Sequence, residues 1–168
     1  EVSVALSWLQ IIDNPRQDIP LLAVLRSPLV GFSGDRLAEI RALAQGDFYT
    51  ALTEAGARDW PDCAAFLAQL AALRFGAGEQ SSHQLLWDLY RRTDMLEVFA
   101  AMPGGEKRRE NLLAFYQLAR RFEGTGHKGL FGFLLHLDRV QDSGGLRQPP
   151  GTPKEEAGVK ILSIHRSK

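Results

Sequence analysis

The 168-residue chain is 45% apolar and 24% charged, which excludes a globally disordered protein. Twenty Lys and Arg balance twenty Asp and Glu, so any nucleic-acid or membrane role must come from local patches rather than an overall field. The lone Cys63 excludes an internal disulfide and a thiolate zinc cage, and makes a reduced, cytoplasmic setting the default; no apolar run approaches the ~18 residues of a membrane helix, so no membrane partner is expected.

Most of the chain reads as short amphipathic helices. Residues 4–12 are apolar (Val4, Leu6, Trp8, Leu9, Ile11, Ile12) and break at Asp13-Asn14-Pro15. Asp18 is placed to cap the next helix, with Pro20 in its first turn, and that helix stops before Ser27-Pro28. A loop, Leu29-Val30-Gly31-Phe32-Ser33-Gly34, leads to a helix that Ser33 or Asp35 starts. The periodicity predicts helices over 47–55 and 61–75, then one capped by Ser81 or Ser82 with a short extension through Met95 and Phe99. Pro103-Gly104-Gly105 is a strong break. Helices over about 106–123 and 128–141 follow.

The character then changes. Residues 142–158 are rich in Gly, Pro and Ser and read as a linker. Val159 to His165 is β-branched and too short for a lone helix, so it reads as a strand. The expected fold is all-α, with seven or eight helices over residues 1–141, a linker over 142–158, and a strand and loop over 159–168. One strand without a partner, a start at Glu1 and an end at Lys168 together predict a piece of a longer protein.

Little catalytic chemistry is legible. Neither Gly-x-x-x-x-Gly-Lys-Ser/Thr nor Gly-x-Gly-x-x-Gly occurs, so this chain alone is not expected to hydrolyse ATP. His83, His127, His136 and His165 lack ligand spacing on a shared helical face, and Cys63 reads as a small buried hydrophobe. Charge is uneven, however. Residues 35–62 hold six acidic and three basic side chains; residues 105–128 hold six basic and three acidic. Arg120 and Arg121 suit a helix C-terminus, whereas Lys107, Arg108 and Arg109 sit at a helix N-terminus, where cations are mildly disfavoured. A turn bearing that cost is a candidate phosphate contact.

Ile161-Leu162-Ser163-Ile164-His165-Arg166-Ser167-Lys168 resembles motif V of superfamily 1 DNA helicases of the UvrD/Rep type, in which an apolar strand leads into Thr/Ser-x-His-x-Ser/Ala-Lys. Asn14-Pro15-Arg16-Gln17-Asp18-Ile19-Pro20 and Leu25-Arg26-Ser27-Pro28-Leu29-Val30-Gly31 look most like AddA, the helicase–nuclease family of bacterial AddAB complexes. Met102-Pro103-Gly104-Gly105 with Asn111-Leu112, and Phe122-Glu123 with Gly129-Leu130, are similar to that family too.

The resemblance implies the helical insertion of the second, RecA-like motor lobe, within a 3′→5′ helicase and exonuclease of double-strand-break repair. ATP and Mg2+ serve the parent chain, with no cofactor or catalytic site expected in this part, which alone should be inactive. Ser163 and His165, with Ser167 and Lys168, would contact single-stranded DNA. Gly31-Phe32-Ser33 matches a Gly-Ile-Gly loop that touches duplex, with Ser in place of the second Gly. Expected partners are DNA, the remaining lobes of the same chain and an AddB-type protein. The competing expectation is a helical protein-interaction module without a DNA role.

Overall fold

The computed structural model describes residues 1–124 and 129–142, whose regular structure is all helical, with no strand among them. The predicted linker and strand lie outside the described residues. The elements are α1 (Val2–Asp13), α2 (Asp18–Arg26), α3 (Gly34–Arg41), α4 (Phe48–Ala57), α5 (Pro61–Ala77), α6 (Ser82–Arg92), α7 (Met95–Ala100), α8 (Gly105–Gly124) and α9 (Leu130–Asp142). The described residues thus hold nine helices where the sequence predicts seven or eight. The extra one is the Met95–Phe99 extension, detached from α6 because Asp94 takes a left-handed conformation (φ 48°) between them.

Helix α1 is apolar on most sides, so it is stable only when surrounded. It packs against α2, α5, α8 and α9. Ala5, Trp8, Leu9 and Ile11 have no solvent exposure, and Trp8 stacks obliquely on Phe66 of α5 at 5.4 Å. Removing each large side chain of this set from water is worth about 2 kcal/mol. One continuous core then runs from α1 through Leu52, Leu70, Leu89 and Leu112 to Phe133.

Two arginines close the ends of α1. Arg74 of α5 donates Nη1 to the carbonyls of Ile12 (2.7 Å), Ile11 (3.2 Å) and Asp13 (3.3 Å), the orphan acceptors of the last turn. At the other end, the Glu1 carboxylate accepts from Arg108 Nη1 (2.9 Å) and Asn111 Nδ2 (2.7 Å) of α8.

Local signals set the other helix ends. Ser33 caps α3 by accepting from Arg36 N (3.0 Å), and Ser81 forms a capping box with Gln84 on α6. Pro61 opens α5. Asp18 differs from expectation: it lies inside the first turn of α2, and its carboxylate accepts from Phe48 N (2.8 Å) at the start of α4. It therefore joins two helices rather than capping one. Gly105 is required by close approach, since a Cβ there would stand 1.8 Å from the carbonyl oxygen of Ala100. This contact folds α8 tightly back against α7. Cys63 is fully buried, and desolvation pushes its thiol up to about 11, so it is an inert core group as expected.

Arg74→Met keeps the apolar stem but leaves three carbonyls at the end of α1 without their charged donor. Urea unfolding should show a loss of about 2 kcal/mol with an unchanged m-value. A loss below about 0.5 kcal/mol would show that water satisfies those carbonyls equally well.

Candidate nucleic-acid interface

Two of the predicted site groups fall within the described residues. The first is the loop between α2 and α3. Ser27 is buried; its Oγ donates to Val24 O (2.6 Å), and its carbonyl accepts from Val30 N and Gly31 N (3.1 and 2.8 Å). The chain then reverses at Gly31, whose φ of +77° is left-handed. Phe32 turns inward, 8% exposed, and its N–H donates to Leu25 O (2.9 Å). Arg26 Nη1 donates to Phe32 O (3.2 Å), which fastens the loop from outside. Gly31 and Ser33 face solvent, whereas the Phe32 side chain belongs to the core. The outward N–H groups of Gly34 and Asp35 at the start of α3 have no helical acceptor.

Helix α3 is braced by Arg36. Its guanidinium meets both oxygens of Asp62 (2.9 and 2.7 Å), reaches Glu39 (3.0 Å) and lies 3.9 Å over the Trp60 ring. Hydrogen bonds from Arg36 hold the Asp62 carboxyl below the ordinary carboxylate range. Asp47, which caps α4, is likewise lowered, first by the Thr50 backbone N–H.

The second group is the first turn of α8. Lys107, Arg108 and Arg109 are consecutive, so 100° steps send them in three directions. Lys107 pairs with Glu110 at 3.3 Å. Arg108 is committed elsewhere, donating to Glu1 and to Pro103 O (3.0 Å). Arg109 is exposed and has no ion pair among the described residues. No hydrogen bond joins this turn to the 27–34 loop among those residues. Ser163, His165, Ser167 and Lys168 lie outside the described residues.

Sequence reasoning passed over an aromatic pair, the exposed Trp87 of α6 and the half-buried Tyr116 of α8, with ring centroids 5.3 Å apart. The available signal was a tryptophan on the polar face of an amphipathic helix, four residues from both His83 and Arg91.

The whole chain aligns with curated proteins that share one name, the A subunit of an ATP-dependent helicase/nuclease. It is 44% identical to the relative from Lactobacillus helveticus, 45% to that from Desulforamulus reducens and 44% to that from Geobacillus kaustophilus. In each case 100% of the chain matches 14% of the relative's length. No family model matches the chain.

Gly31→Ala meets no atom within 4 Å, so its effect isolates the left-handed backbone; a loss of about 1 kcal/mol in urea unfolding is expected. Asp62 and Asp47 are more acidic in the folded chain than in the unfolded one. Their contribution is therefore present above the ordinary carboxylate range near pH 4 and lost as pH falls through their lowered values. Stability should decline from about pH 5 towards pH 3, and Asp62→Asn should flatten that acid limb.

Proposed function

We propose that this chain, which matches in full a segment of the AddA-type ATP-dependent helicase/nucleases, is a DNA-contacting helical insertion of the second motor lobe in such a protein. The observation that carries the reading is the end-to-end match at 44–45% identity to relatives of that name, joined to the motif V wording at Ser163–Lys168. The parent would be a 3′→5′ helicase and exonuclease working with an AddB-type protein in double-strand-break repair.

Among the described residues, no cluster of His, Cys, Asp and Glu could hold a metal ion. Gly104-Gly105 is the nearest sequence feature to a phosphate loop, yet the Gly105 backbone is packed against Ala100 and not open to a ligand. On this reading nucleotide chemistry belongs to other parts of the parent, and the role of this segment is to hold and guide DNA. Within it, the exposed backbone of Gly31, Ser33 and Gly34 suits close approach to a duplex phosphate, with Arg26 fastening the loop. Phe32 supports that loop from beneath rather than touching DNA. On α8, Lys107 and Arg109 supply phosphate contacts, while Arg108 positions the turn through Glu1. Beyond the helices, Ser163 and His165, with Ser167 and Lys168, would meet the single strand at the end of the motif V strand.

Ile19 and Phe75, each 85% exposed, and Phe131, 68% exposed, are large apolar side chains left in water. They suit contacts with the remaining lobes of the same chain or with the AddB-type partner.

Fluorescence anisotropy with a 3′-tailed duplex across a salt series tests the reading. Binding should weaken steeply with salt, and Lys107→Ala/Arg109→Ala should lower the log–log slope by about 1.8. An unchanged slope removes the α8 turn from the interface. Absence of binding by the wild-type chain at low salt would favour a protein-docking module.

A further inference from the structure

We infer that the Trp87–Tyr116 shelf between α6 and α8 is a stacking platform for an unpaired nucleobase, with the strand's phosphates held by Arg91, Arg109 and Arg120. This inference rests on the DNA reading above but assigns a single-strand site, which shares only Arg109 with the duplex contact.

The two helices run antiparallel. Ser82 N and His83 Nδ1 at the start of α6 meet the Glu123 carboxylate near the end of α8, the latter at 2.5 Å. Further along, Tyr90 Oη donates to Leu112 O (2.9 Å). These contacts clamp the seam at both ends and hold the rings between them. Trp87 is 43% exposed, stacks obliquely on Tyr116 at 5.3 Å, and is backed by the buried Tyr90 at 6.4 Å. His83 meets the Tyr116 ring edge-on at 6.0 Å. The rings floor an open recess of about 390 Å³ whose walls include Gln84 and Arg91, a size within the ~300–1,000 Å³ of small-ligand sites. An indole left in water on a polar helix face, preset by rigid neighbours, offers a π-surface at little ordering cost.

Charge selects nucleic acid over an apolar protein segment. On α8, positions 109, 113, 116 and 120 fall within about 60° of one another at 100° per residue, so Arg109, Leu113, Tyr116 and Arg120 form one stripe. Arg109 and Arg120 are exposed and have no acidic partner among the described residues. Asp88, the carboxylate at the recess, is already held by Arg92 (2.7 Å) and Arg91 (3.2 Å), and the Arg91 side chain is 70% exposed. Cations thus flank an aromatic floor, the combination that binds single strands without sequence preference.

The site carries its own reporter. Trp8 is fully buried and Trp60 lies under Arg36, leaving Trp87 as the exposed indole among the three tryptophans. Titrating the 168-residue chain with a short oligothymidylate should quench tryptophan emission saturably. Trp87→Phe, a conservative change at a half-exposed ring, should abolish the quench while circular dichroism stays unchanged. Arg109→Gln/Arg120→Gln, which leaves the reporter in place, should weaken binding about tenfold and lower the salt slope by about 1.4. Tyr116→Ala should weaken it about tenfold. Quenching that persists in Trp87→Phe, or that ignores the arginine pair, overturns the platform. Anisotropy of the same protein with a blunt duplex, which offers no unpaired base, separates the two readings. Duplex binding without oligothymidylate quenching overturns the platform alone, and quenching without duplex binding overturns the duplex contact alone. Failure of both ends both.

Discussion

A twelve-residue helix that is apolar on most sides cannot face water, and the rest of this structure is arranged to cover α1. Burial is nondirectional, so it requires neighbours without specifying how they sit. Direction comes from the two polar clamps at the helix ends. Arg74 reaches the last carbonyls from α5, and Glu1 receives Arg108 and Asn111 from α8. Both clamps join segments more than sixty residues apart, so together they tie the first helix to the middle and the end of the described fold. A charged donor that reaches three backbone carbonyls at once is worth more than a single surface ion pair.

This division of labour separates the arginines by task. Arg36, Arg74 and Arg108 are each consumed by two or more internal acceptors. Arg109 and Arg120, on the outer stripe of α8, have no such engagement among the described residues. A net charge of +0 therefore coexists with a cationic strip, because several acidic groups are occupied in capping and bracing. Glu123 closes the start of α6, Asp47 closes α4, and Asp62 holds Arg36. The charges left over, not the total, decide what the surface attracts.

The loop between α2 and α3 shows how a surface feature is built from beneath. Phe32 and Ser27 are both buried, and the chain between them turns back through a left-handed residue at Gly31. The backbone facing outward at Ser33 and Gly34 is thus held from beneath by Phe32 and by Arg26, and donors so held lose little entropy on contact.

Most of the helices are legible in the chain, because apolar spacing, Ser81 with Gln84, Pro61 and the Pro103-Gly104-Gly105 break are local signals that act within a turn or two. The helicase–nuclease resemblance is likewise carried by local wording around Asn14, Gly31 and Ser163. Tertiary structure alone decided which polar groups remain available. Asp18 reads as a cap for its own helix and instead serves Phe48, thirty residues away. Lys107, Arg108 and Arg109 read as one basic turn, yet helical rotation aims Arg108 at Glu1, 107 residues distant. Trp87 is one polar-face residue until α8 lays Tyr116 beside it. Periodicity and capping depend on neighbours in sequence, so the chain itself determined them. The partner of a long side chain depends on which distant segments the core brings within a few ångströms, and only the folded packing sets that.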